Sequence, residues 1–286
     1  MAVIYGEQYV DEKYSKAIEP NLYTDTVLIP GVTYTDKWQE GPAGGIYVHK
    51  LTTDAVAVGT PGSDFNDEAA DDDLIPIILN NNFQKSRKIY GVQSASVAFN
   101  AGEEYLADAL SAVRQGRQYS ALACMAYEGT TYGDTTAVTK DNVVSYLTGM
   151  REAVKKAHGK ANFALVSTDV YAKLLQIVGI QSYADEAVRS GELLKRFGLN
   201  IIECNSFDTT QAKFYDNGGT KRTVNLKQVD IIVGASDEFA CIDNFNMYRL
   251  IDSENFAGSK AQVEINSGFH VMASSCIQVK KNAISA

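Results

Sequence analysis

All five prolines of this 286-residue chain (Pro20, Pro30, Pro42, Pro61 and Pro76) fall in its first 76 residues. A proline fixes φ and removes a ladder donor, so it is confined to arms, turns and edge strands. The front of the chain is therefore extended and turn-rich, while residues 77–286 are free to build long helices and central strands. With 45% hydrophobic residues, the chain can supply one large core or two smaller ones. A front quarter that cannot bury itself points to cover from another subunit. The pattern is that of a building block before it is that of an enzyme.

The front divides further. Residues 1–40 read as an arm, with a short helix over 7–18, a strand over 26–29 and a turn at Pro30-Gly31. A flexible base at 41–45 precedes Ile46-Tyr47-Val48-His49-Lys50-Leu51, which alternates with period two. A second run follows at 55–58, so the pair reads as a β-ribbon turning at Thr52-Thr53-Asp54. An acidic stretch over 64–73 leads into a third run at 74–79. Ribbons of this kind are marginal alone and become stable when laid over a neighbouring surface.

Behind it, residues 101–128 read as one helix of roughly 40 Å. Asn100 would cap it, Glu103 and Glu104 suit its first turn, and Gly129 stops it. Gly116 would mark a bend. Thr139 or Asp141 would cap a second helix carrying Val143, Leu147, Met150 and Val154. A buried strand at 163–166 leads to a third helix, capped by Ser167-Thr168-Asp169 and stopped by Gly179. Residues 180–198 read as an exposed loop with a short helix. Strands follow at 199–204, 213–215, 229–233, 239–242, 247–251, 262–265 and 269–279. Helix, strand and helix with tight junctions make an α/β layer.

A net charge of −9 repels phosphate backbones, which argues against sequence-reading nucleic-acid binding. Lys85, Arg87 and Lys88 read as a solvated basic face. Cys124, Cys204, Cys241 and Cys276 stand alone with apolar flanks and read as buried free thiols. The opening residues lack a signal-peptide pattern, and no apolar run approaches a membrane span, so no membrane partner is expected. There is no phosphate-binding loop, dinucleotide fingerprint or nucleophile elbow. His49, His158 and His270 have no companions at metal-ligand spacing, and the start of a calcium loop at Asp64 fails at Ala69 and Ile75. No catalytic, cofactor-binding or metal-binding residue is assigned. Tyrosines crowd the arm and ribbon (Tyr5, Tyr9, Tyr14, Tyr23, Tyr34, Tyr47), where they suit an interface.

The order of these parts resembles the major capsid protein of tailed double-stranded DNA bacteriophages, the Hong Kong 97-type fold. Three stretches carry the likeness. Residues 103–129, ending Met125-Ala126-Tyr127-Glu128-Gly129, look like the spine helix of that family. Residues 142–175, with Phe163-Ala164-Leu165-Val166-Ser167-Thr168, are similar to the opening of its axial domain. The run from Gly191 through Phe197-Gly198-Leu199-Asn200-Ile201 to the C-terminal strand looks like its passage from loop to apolar strand. No single motif is diagnostic, because the fold is recognised by order and spacing.

The resemblance implies an α+β fold with an arm (1–40), an extended β-ribbon loop (41–82), a peripheral domain (83–139 and 251–286) and an axial domain (140–250). It implies hexamers and pentamers of the chain itself, closing into an icosahedral virion shell around double-stranded DNA held without sequence-specific contact. Assembly would take place in the host bacterial cytoplasm, with separate scaffold and portal proteins as partners; since the arm is too short for a cleaved scaffold, a separate scaffold protein or none is implied. Ile46, Tyr47 and Val48 would touch the next subunit's spine region. Some family members cross-link a ribbon lysine to an asparagine. Lys50 is the one lysine on the ribbon strands, and no such bond is assigned. An encapsulin shell around a cargo enzyme has the same fold and is the alternative. A small-molecule α/β enzyme, with Ser167, Thr168 and Asp169 as its polar cluster, is a third reading.

Overall fold

The computed structural model describes residues 26–38, 45–51, 72–91, 101–180 and 197–283. In chain order its first elements are β1 (Gly45–Leu51), β2 (Asp72–Ile78), β3 (Asn81–Tyr90), α1 (Ala101–Glu128), β4 (Thr130–Thr131), α2 (Val143–Lys156), β5 (Phe163–Ser167) and α3 (Thr168–Ile180). The remaining strands are β6 (Asn200–Cys204), β7 (Ala212–Tyr215), β8 (Lys221–Val224), β9 (Val229–Gly234), β10 (Phe239–Asp252), β11 (Gly258–Val271) and β12 (Ile277–Lys281).

The core is organised around α1. Six consecutive residues, Ala121 to Ala126, are fully buried. A helix apolar on every side must be enclosed, and here several elements enclose it. The five-stranded mixed sheet β4-β12-β9-β5-β6 brings Phe163, Leu165, Ile232, Ile277 and Val279. β10 and β11 bring Phe239, Cys241, Phe269 and Val271, the β7–β8 hairpin brings Ala212 and Phe214, and the arm brings Val27, Leu28 and Tyr34. Small side chains at Ala121, Ala123 and Ala126 let these neighbours close on the helix.

The five-stranded sheet is buried on both faces, as period-two alternation requires. Phe163 and Leu165 of β5 face α1, while Ala164 and Val166 face α2 and α3. On that second face Val143, Leu147, Met150 and Val154 are all completely buried, together with Val170 and Leu174. Each such side chain contributes about 1.5–3 kcal/mol of burial. β5 pairs parallel with β6 and antiparallel with β9, and β12 pairs antiparallel with β9 and parallel with β4. A separate antiparallel sheet, β10-β11-β3, lies along the first half of α1.

Several expectations change. Residues 26–29 form no strand; the backbone folds into a tight turn in which Thr33 Oγ1 takes the Ile29 N–H and donates to Val27 O, and Gly31 supplies the positive φ. The described partner of β1 is β2. The cap of α2 is Asn142, whose Oδ1 accepts the Thr139 N–H, and the Thr139 carbonyl takes the Val143 N–H. α3 continues past Gly179 to Ile180. The two strands expected over 239–251 are one, β10, with a bulge between Asp243 and Phe245. The single strand expected over 269–279 is broken by a 3-10 turn at Ser274–Cys276. β10 runs unbroken through residue 251, and β12 joins the five-stranded sheet, so the strands beyond 251 divide between two sheets.

The expected helix at 7–18, the ribbon turn with 55–58 and Pro61-Gly62, most of the acidic stretch, the Asn100 cap and residues 181–196 lie outside the described residues. Among the described helices none is long and apolar enough to cross a membrane.

Candidate assembly surface

β1 and β2 pair antiparallel, with Ile46 opposite Ile77, Tyr47 opposite Pro76, Val48 opposite Ile75 and His49 opposite Leu74. Opposed residues share a face, so the ribbon has two distinct sides. The inner side carries Ile46, Val48, Ile75 and Ile77, which pack with Ala240, Ile242, Met272 and Trp38 of the same chain. The outer side carries Tyr47, 69% exposed, and Leu74, 56% exposed. Of the three residues expected at a subunit contact, Ile46 and Val48 therefore sit on the chain's own body and Tyr47 faces outward. Leu74 joins Tyr47 there. The run of Leu74 is apolar at every position, so the sequence carried no sign of which face Leu74 takes, and its partner strand was needed to show it.

The ribbon is also held to the body by polar contacts. Lys50 Nζ donates to the Met272 carbonyl at 3.2 Å and lies 3.8 Å from a carboxylate oxygen of Glu238. Gly268 lets the ribbon approach closely, since a Cβ there would lie 2.9 Å from Ile78 O.

A second open surface lies beside α1. The helix covers β11 through Ala109, Val113, Val263 and Ile265. It leaves the outer half of β10 bare, where Tyr248 is 70% exposed and Leu250 is half-exposed. The groove between them has a volume of about 330 Å³ and is lined by Leu110, Arg114, Tyr248, Val263 and Ile265 among others. Arg87, expected on a solvated face, instead pairs with Asp108 of α1.

Between ribbon and groove, Arg117 joins four segments. Its Nε lies 2.9 Å from Asp243 Oδ1 and 3.3 Å from Ser267 Oγ, its Nη2 lies 3.0 Å from Cys241 Sγ, and its guanidinium stands over the Tyr34 ring. Burial works against the charge, but the Cys241 sulfur, once ionised, and the carboxylate of Asp243 hold the guanidinium above its ordinary pKa. The arm is fastened close by. The Val27 N–H donates to Gln118 Oε1, and Thr35 exchanges backbone hydrogen bonds with Phe239 and Cys241 at the edge of β10.

The residues weighed for chemistry do not converge. His49 lies in the ribbon, His158 follows α2, and His270 of β11 stands 3.0 Å from Glu128 Oε2. Ser167 Oγ accepts the Val170 N–H at the head of α3, a capping contact. All four cysteines are free and buried. Burial pushes the Cys204 and Cys241 thiols up to about 12, and burial followed by the nearby Glu128 carboxylate raises Cys124 well above the ordinary thiol. Such thiols are poor nucleophiles at neutral pH. Among the described residues no group of three histidine, cysteine or carboxylate side chains is placed to hold a metal ion.

The solved structures similar to this chain share its layout from end to end. A chain from Mycobacterium phage Che8 matches with a TM-score of 0.73 at 12% identity, covering 96% of this chain and 97% of that one. The capsid structure of the cyanophage P-SCSP1u matches with a TM-score of 0.73 at 14% identity, covering 98% and 94%. The mature capsid of bacteriophage PhiM1 matches with a TM-score of 0.64 at 11% identity, covering 96% and 94%. This is the capsid fold of the Hong Kong 97 type. No family model and no curated protein matches the sequence. At such low identity the likeness to the capsid fold lies in topology. The capsid fold here is built with almost wholly different side chains.

Proposed function

We propose that this chain is the structural subunit of a tailed-phage head, assembling with copies of itself as hexamers and pentamers into an icosahedral shell around double-stranded DNA. The observation that carries this reading is a capsid fold matched over the whole chain, together with a ribbon that presents Tyr47 and Leu74 outward. The role is geometric and involves no catalysis. In this reading the ribbon of one subunit lies on the groove between α1 and β10 of the next, setting Tyr47 and Leu74 against Leu110, Tyr248 and Leu250. Many such contacts, each weak, close a shell by mass action. The virion is the place of action, and scaffold and portal proteins are its expected partners. The matched structures include phage capsids, which supports a phage head over an encapsulin compartment.

Electron microscopy and sedimentation velocity of the purified protein test this. Closed shells, rings or tubes hundreds of ångströms across are expected. The pair Tyr47→Asp and Leu74→Asp should raise the critical assembly concentration at least tenfold, because each side chain contributes about 1.5–3 kcal/mol when buried and each 1.4 kcal/mol is a factor of ten. Both residues are exposed in the subunit, so its melting temperature should not move. A monomer at every concentration, or unimpaired shells from the double variant, would refute the reading.

A further inference from the structure

We infer that the β7–β8 hairpin is a clamp that fixes the direction of the ribbon within a single subunit, with Asn217 as the positioning residue. The assembly consequence rests on the shell reading above; the clamp itself does not. Only Leu79 and Asn80 separate β2, which belongs to the ribbon, from β3, which belongs to the three-stranded sheet. Two connecting residues bring four soft dihedrals. Left to themselves they would let the ribbon swing over a wide arc.

The ribbon's inner face is seated on Ala240, Ile242 and Met272, and the hairpin adds to that seating a reciprocal exchange of side-chain amides and backbone at the connection itself. Asn217, in the β7–β8 turn, accepts the Ile78 N–H on Oδ1 at 3.1 Å and donates from Nδ2 to the Pro76 carbonyl at 2.6 Å. In the other direction Asn81 of β3 accepts the Tyr215 N–H on Oδ1 at 2.8 Å and donates to the Tyr215 carbonyl at 3.2 Å. Asn80 Nδ2 adds a bond to the Asp216 carbonyl at 2.9 Å. The amides of Asn217 and Asn81 each imitate a strand partner, since each meets one N–H and one C=O on the same edge. Pro76 matters here: it has no N–H, so along that edge the Pro76 carbonyl and the Ile78 N–H are the pair of groups to satisfy, and one asparagine satisfies both.

The hairpin is rigid enough to serve as an anchor. Asp216 braces its turn by accepting the Gly218 and Thr220 N–H groups and the Arg222 guanidinium. Its root is fixed to α1, where Phe214 is buried and Ser120 Oγ donates to the Lys213 carbonyl at 2.7 Å. The clamp acts at the point that matters for docking, because Pro76, held by Asn217, is the cross-strand partner of Tyr47. The outward tyrosine is thus aimed before a second subunit arrives, which lowers the ordering cost of association.

The test compares wild type, Asn217→Ala and Asn217→Asp as full chains. Amide hydrogen exchange in the unassembled subunit reads the clamp, and electron microscopy of assembled material reads its consequence. In Asn217→Ala the Ile78 amide should exchange about tenfold faster, as the loss of a hydrogen bond predicts, while amides of β9 keep their protection. Asn217→Asp keeps the acceptor and the turn but cannot donate to Pro76 O, so Ile78 should be partly protected. Shells from both variants should spread in diameter or fail to close although the subunit melts as wild type. Wild-type exchange at Ile78 would overturn the clamp. Faster exchange with uniform shells of wild-type diameter would overturn its positioning role. An absence of shells from wild type would count against the shell reading, while the exchange at Ile78 would still decide the clamp.

Discussion

Replacing Asp243 by alanine isolates the central polar junction of this fold. Arg117 and Asp243 have side chains only 13% and 20% exposed, and the carboxylate also accepts from Ser267 Oγ at 2.6 Å. Removing the acid leaves a guanidinium in a pocket formed by Tyr34, Cys241 and Ser267. Breaking a fully buried pair costs about 3–5 kcal/mol. Residual solvent access at both groups lowers that to about 2–3 kcal/mol, or roughly 4–12 °C in melting temperature for a chain of this size. Charge should dominate over volume, and a double-mutant cycle separates them. With Arg117→Met already in place, Asp243→Ala should cost less than about 1 kcal/mol, because no stranded cation remains. Thermal and urea denaturation of the unassembled subunit measure both numbers. Equal costs in the two backgrounds, or a single variant melting within about 1 °C of wild type, would refute the idea that the pair holds arm, helix and sheet together.

Two further outcomes follow from the titrating groups. Hydrogen bonds from the Thr136 side chain and backbone, then from Lys280, hold Asp134 at about 2 against an ordinary 3.8. A carboxylate depressed in the folded state adds stability that is present above its unfolded pKa and lost as pH falls through the folded one. The urea midpoint of wild type should therefore drop between about pH 4 and pH 2 more steeply than that of Asp134→Asn; identical slopes would contradict it. Native protein at pH 8 should show almost no reaction of its four thiols with a disulfide reagent, and all four should react after unfolding; rapid labelling of the folded subunit would show that Cys204 and Cys241 are not sealed as described.

Local chemistry made much of the fold legible. α1 occupies 101–128 as expected, since the segment is rich in alanine and leucine and ends on a glycine. The four core residues of α2 stand at helical spacing and all are buried. β5 is a short apolar run between a turn and a capping serine. β3 was not legible, because its half-buried face carries Lys85 and Arg87 between Phe83 and Ile89, so polar residues fill the positions where alternation would show. The charge of Arg87 is accommodated only because Asp108 of α1 stands against it. The Asn217 clamp left no mark in the sequence, for an asparagine beside two glycines reads as an ordinary turn.

What the sequence determined alone was the kind and order of most of the elements, the three helices and β5 above all, and with them the resemblance to a capsid subunit. Helical spacing, strand alternation and the crowding of prolines into the front are local properties, readable a few residues at a time. Tertiary structure decided what meets what. It paired β11 with β3, β12 with β4 and β1 with β2, turned Val48 inward and Tyr47 outward, and set Asn217 against the edge of β2. Those choices join residues as far apart in sequence as Asn81 and Ser267. They depend on which apolar faces can be closed at once around α1, a condition on the whole chain that no short window of sequence contains.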